Sequence, residues 1–128
     1  MRLLLDTHAL LWAFLESPRL SARAREALAS SANAKLVSAA TAMEITLKHR
    51  LGKLSDAAPF IRDGRLAIGH LDYVALPISL DHASLAGGLD IPHRDPFDRL
   101  LIAQARIERV PIVSSERLFD GFGVERIW

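Results

Sequence analysis

Four acidic side chains stand where their positions could do chemistry. Asp6 directly follows the apolar run Leu3-Leu4-Leu5, and Glu116 follows Pro111-Ile112-Val113-Ser114. Both runs read as short buried strands, so both acids fall at carboxyl strand ends, where open α/β sheets collect their ligand sites. Their ordinary roles would be a turn or capping acid for Asp6 and a solvated loop residue for Glu116. Glu44 is expected on the buried side of a helix, because Ala40, Met43, Leu47 and Leu51 recur at helical spacing and Glu44 lies within that stripe. An i,i+4 pair with Lys48 would stabilise the helix by roughly 0.2–0.5 kcal/mol, yet it does not explain a carboxylate facing a core. Asp95-Pro96-Phe97-Asp98 opens another helix, with Asp95 as N-cap, Pro96 at the first position and Asp98 at the third. Helical geometry aligns Asp98 with Leu101, Ile102 and Ala105, and puts Arg99 and Arg106 on the opposite, wet side.

Asp6, Glu44, Asp98 and Glu116 thus come from four separate segments and face inward or sit at strand ends. Brought together without a counter-charge they would repel one another and be costly to desolvate. A hard divalent cation removes both costs, and carboxylate oxygen with water is what Mg²⁺ or Mn²⁺ prefers. Zinc is poorly supported, because the chain has no cysteine and His8, His49, His70, His82 and His93 show no ligand spacing. These histidines read as capping, surface or core residues.

The elements that must carry these residues follow from composition and punctuation. At 128 residues, 50% apolar and 24% charged, the chain has the balance of one globular domain, expected to span residues 1–128. Its formal charge of +1 is too small for affinity built on bulk attraction to nucleic acid, so a polyanion would have to be gripped locally. Absence of cysteine suits a reducing cytoplasm. Asp6 and His8 interrupt the apolar N-terminal stretch, which argues against a secretory signal and leaves no run long enough for a membrane span.

After the first strand, Thr7 is a plausible N-cap for a helix over 8–16, and Ser21 for one through Ala29. Lys35–Ser38 reads as a strand, and Ala39 to about Arg50 as a helix stopped by Gly52. From Ser55 to Gly69 the pattern is less clear; Pro59 can open a short helix that Gly64 would close. Asp72 to Ser79 looks extended, with Pro77 marking an edge. Leu80–Leu89 and Asp95–Arg109 read as helices, and a last strand falls near 124–127. Alternation of strands and helices predicts an α/β fold with a mainly parallel sheet.

With those positions fixed, the chain resembles PIN-domain proteins of the VapC toxin type over essentially its whole length. The segments that carry the resemblance are LLLDTHALLWAFLESPRLS, SAATAMEITLKHRLGKL, HRDPFDRLLIAQA and IVSSERLF. It implies a three-layer α/β/α fold and a metal-binding, catalytic quartet at Asp6, Glu44, Asp98 and Glu116. Thr7 and Ser114 would be hydroxyls lining the site, with Asp95 an adjacent extra acid. Two positions depart from the family pattern: Met43 stands where many relatives place Trp, and Glu116 where Asp is usual.

The activity implied is Mg²⁺- or Mn²⁺-dependent hydrolysis of RNA phosphodiesters by the toxin of a type II toxin–antitoxin pair. A cognate VapB-type antitoxin and a homodimer are implied with it. Lys48, Arg50, Lys53, Arg94 and Arg99 are candidates for contacts to the RNA backbone, against the plainer role of solvated helix faces. The alternative is a PIN-like module without catalysis that binds RNA or protein. A phosphatase with Asp6 as nucleophile ranks below both, because His8 stands where that chemistry wants a second acid.

Overall fold

The computed structural model describes residues 1–54 and 57–128; Ser55, where the unclear segment begins, and Asp56 lie outside them. Five strands, β1 (Arg2–Leu5), β2 (Ala34–Ser38), β3 (Val74–Leu76), β4 (Ile112–Val113) and β5 (Arg126–Ile127), form one sheet in the order β3-β2-β1-β4-β5. Every pairing is parallel. The expected strand over 111–114 is therefore two residues long, with its flanks in the loops at either end.

The helices are α1 (Thr7–Phe14), α2 (Ala22–Ala29), α3 (Ala39–Arg50), α4 (Ala58–Arg62), α5 (Gly64–His70), α6 (Leu80–Gly88) and α7 (Pro96–Glu108). Their placement follows from strand order. The chain builds outward from β1 to β2 to β3, then returns across β1 to lay down β4 and β5. With right-handed crossovers, that reversal moves the connecting helices to the other face of the sheet. Two separate cores record this. Leu3, Leu5, Val37, Val113 and Ile127 pack on one face with residues of α1 to α5. Leu4, Leu36, Leu76 and Ile112 pack on the other with α6 and α7. Alternation along β1 thus buries Leu3, Leu4 and Leu5 completely, two to one layer and one to the other. The architecture is the expected three layers, and its switch of direction falls between β1 and β4.

Three local expectations are corrected. Thr7 is not the N-cap of α1: Asp6 is, and its carboxylate accepts from the Ala9 N–H. The α3 stripe is also misassigned, since Met43 is 62% and Leu51 52% exposed, and the face that packs inward is Ala40, Thr41, Glu44 and Ile45. Contacts with α1 and α7 select that face, rotated from the one with the larger side chains. Gly64, finally, does not close a helix but starts α5. A Cβ there would come within 3.0 Å of the Phe60 ring, so glycine permits the close approach of α4 to α5. Gly52 does end α3, at φ 75°, in a Schellman arrangement where Lys53 N–H reaches the Lys48 carbonyl at 2.8 Å.

Candidate active site

Asp6, Thr7, His8, Glu44, Lys48, Asp95, Asp98 and Glu116 line one cavity of about 170 Å³. It opens where β1 and β4 end, the switch point at which parallel sheets bind ligands. All four acids singled out in the sequence meet there, each delivered by a different element. Among the described residues a larger cavity of about 560 Å³, lined by Val37, Ala42, Phe60, Ile68 and Leu76 among others, contains none of the four.

Asp6 is 4% exposed. It accepts from the Ser114 hydroxyl and, at 2.8 Å, from the Ala9 N–H. Burial dominates nonetheless and lifts its pKa from 3.8 to about 6, the Ser114 and Ala9 bonds opposing and Glu116 adding to the rise. Ser114 is a junction, because its oxygen also accepts the Glu116 N–H at 2.9 Å. Glu116 itself is exposed. Glu44 is buried, with the Thr7 hydroxyl on one oxygen and Lys48 Nζ 2.5 Å from the other. Thr7 is thus tied to the quartet by a bond to Glu44 rather than by capping. Burial works against the Lys48 ammonium, but the bond and charge of Glu44, with Asp95 and Asp98 nearby, hold its pKa above the ordinary value.

Asp98 is half-buried, and burial raises its pKa, with Asp95 and Glu44 adding repulsion and a bond from His93 opposing. Asp95 caps α7 through the N–H groups of Phe97 and Asp98. His93, read from the sequence as a cap, surface or core residue, instead places Nε2 2.8 Å from Asp98 Oδ2. Its neighbour in this arrangement is Arg99, which is partly buried rather than on an open wet face and whose guanidinium is spent on carbonyls of its own chain. Its guanidinium donates to the carbonyls of Ala86 (2.9 Å), Leu89 (2.6 Å) and His93 (2.8 Å), with longer contacts to Gly87 and Ile91. The clamp satisfies carbonyls left open at the end of α6 and fixes the loop that carries His93. Arg106 is exposed as expected. Of the remaining basic candidates, Lys48 lies in the cavity wall, whereas Arg50, Lys53 and Arg94 are exposed and do not line it.

The donor set is the oxygen chemistry that Mg²⁺ or Mn²⁺ takes: five carboxylates line the cavity, Asp95 being spent on the cap of α7, and the Thr7 and Ser114 hydroxyls stand behind Glu44 and Asp6. Among the described residues, however, no three acids or histidines stand as a ready-made ion cage. Lys48, His93 and Ser114 instead donate to Glu44, Asp98 and Asp6. The one described buried side-chain polar atom without a partner, Thr41 Oγ1, is outside the cluster.

Fold and pocket together define a doubly wound α/β protein with an acidic crevice at its switch point. Residues 3–124 match the PIN domain model, and the chain belongs to the PIN domain family. Solved structures agree on the fold. VapC20 of Mycobacterium tuberculosis, described as a sarcin-ricin loop cleaving toxin, matches over 95% of both chains with TM-score 0.67 and 16% identity. VapBC2 of Rickettsia felis, bound to a DNA fragment from its promoter, matches over 100% of both chains with TM-score 0.63 and 18% identity. A toxin–antitoxin complex from Klebsiella pneumoniae matches over 94% of this chain and 92% of its own, with TM-score 0.63 and 22% identity. No curated protein matches the sequence.

Proposed function

We propose that the chain is an endoribonuclease, the toxin of a type II toxin–antitoxin pair, acting in the cytoplasm with Mg²⁺ or Mn²⁺ at Asp6, Glu44, Asp98 and Glu116. The observation that carries this is the convergence of four acids from four segments on one cavity at the switch point of a PIN-family sheet. The choice of RNA, and of a VapB-type antitoxin as partner, is supported by what the similar structures are described as cutting and assembling with. A homodimer belongs to the same reading, and exposed Met43 on α3 and Leu51 just past its end are apolar surface it can cover.

The chemistry a divalent ion supplies in such a site is activation of water and positive charge at the phosphate. The chain's own part is positioning. Ser114 and the Ala9 N–H fix Asp6, Thr7 fixes Glu44, and His93 fixes Asp98. Asp95 opens α7 so that Asp98 reaches the cavity. Lys48, about one-third exposed, keeps a positive charge beside Glu44 where a phosphate oxygen would arrive. The reading requires no protein nucleophile.

The test is expression with and without the antitoxin, with sequencing of RNA 5′ ends. Growth arrest with discrete new ends, relieved by the antitoxin and absent for Asp98→Asn, is expected; arrest without new ends would remove the nuclease reading. One observation favours the non-catalytic alternative, namely that the inner acids already take proton donors from the chain. Calorimetry with Mn²⁺ separates the two, since a module without a metal site gives no binding heat.

A further inference from the structure

One feature of the cavity wall is aromatic. The His8 ring stacks on Trp12 with centroids 5.5 Å apart and planes at 27°, and Trp12 in turn meets Trp128 at 5.7 Å and 51°. These spacings lie in the range of favourable ring pairs. His8 and Trp12 are one helical turn apart on α1 and so share a face. The ladder runs from wet to anchored: His8 is exposed and lines the acidic cavity, while Trp12 and Trp128 are half-buried against the core. An exposed ring held on a rigid aromatic stack, one residue from Thr7 and two from Asp6, is a platform on which another flat ring can continue the pile.

We propose that His8, backed by Trp12 and Trp128, is a nucleobase subsite that stacks an unpaired base of the RNA next to the phosphate held in the acidic cavity. This rests on the proposed nuclease reading and names the part of the substrate that the acids cannot recognise. Stacking is tolerant of base identity because every base presents a π-face. It does require the base to leave a duplex, so the subsite selects single-stranded or looped RNA over paired helices. It also supplies affinity that does not depend on net charge, which this chain, at +1, lacks.

The chain's two tryptophans are both in the ladder, so tryptophan emission, excited selectively over that of Tyr73, reports on this site alone. The probes are a short single-stranded RNA and a strand of equal length with abasic residues, titrated in millimolar Ca²⁺. The base-bearing strand is expected to quench the fluorescence and bind about fivefold tighter or more. His8→Ala should abolish that difference and His8→Phe should keep it, which separates loss of a stacking face from loss of the fold. Equal binding of the two strands, absence of a fluorescence response, or an undiminished difference in His8→Ala would overturn the subsite. Cleavage of RNA in Mg²⁺ is measured on the same preparation. Quenching without cleavage contradicts the nuclease reading alone, and cleavage with equal binding of both strands contradicts the subsite alone.

Discussion

At the scale of the residue, the two acids that open α7 are nearly adjacent in sequence yet do different work. Asp95 spends its carboxylate on two backbone N–H groups, a task Asn performs about as well. Asp98 lies in the cavity with its carboxyl raised by burial. Asp95→Asn should therefore keep the fold and much of the cleavage, whereas Asp98→Asn should lose cleavage while its melting temperature holds or rises. The helix dipole, which favours an acid at this third position, opposes that rise by only about 0.3–1 kcal/mol. Cleavage and melting of both variants beside wild type decide it, and an Asp95→Asn variant deader than Asp98→Asn would contradict the assignment.

Asp6 gives the same pocket a pH signature. Its folded pKa of about 6 lies above the ordinary 3.8, so its contribution to stability is full below pH 4 and lost as pH rises through about 6. A shift of that size costs the ion-free protein about 3 kcal/mol at neutral pH. Asp6→Asn keeps an acceptor for Ala9 and Ser114 but has no charge to bury, so above pH 6 it should be more stable than wild type. Denaturant midpoints from pH 4 to 8 should fall for wild type and stay flatter for Asp6→Asn; parallel curves would refute the account. The acids themselves were legible in sequence because strand ends and helix starts are marked by local pattern. His93 was not, because its partner Asp98 is set by a loop whose path no periodicity encodes.

At the scale of the element, α3 and α7 show where pattern reading succeeds and fails. On α7 the inward face Leu101, Ile102 and Ala105 matches the face expected from helical geometry. On α3 the largest apolar residues lie outside, because neighbouring helices choose the buried face and small Ala40 and Thr41 let them approach. The inward position of Glu44 was therefore reached through the wrong stripe. Arg99 failed for a related reason: a charged residue reads as solvent-facing until the unsatisfied carbonyls around it are known. Arg99→Met keeps the aliphatic stem and removes every donor, and should cost about 3 kcal/mol. It should also loosen the loop bearing His93, so cleavage falls further than stability alone explains, a difference visible by assaying well below the melting temperature. Unchanged melting would show the clamp to be ornamental.

At the scale of the molecule, strand order explains why the site exists at all. Reversal of direction between β1 and β4 leaves a crevice above their ends, and Asp6 and Glu116 are the residues that each chain segment places there. Alternation of strands and helices with continuous apolar runs made this architecture readable from sequence, while the length of β4 and the break between α4 and α5 depended on packing. A cation bound only by the folded crevice also stabilises the whole domain. At a hundredfold excess over its dissociation constant that is about 2.7 kcal/mol. For a domain of this size the melting temperature should rise by roughly 10 °C in saturating Mn²⁺. No rise for wild type, or an equal rise in Asp98→Asn, would place the ion elsewhere.

The central claim is that these acids cut RNA through a divalent ion, and cleavage by the purified wild-type protein in Mn²⁺ against EDTA tests it most directly. Discrete cleavage in Mn²⁺ that disappears in EDTA and returns when the ion is restored is the predicted result. Cleavage at the same rate and the same positions in EDTA would contradict it.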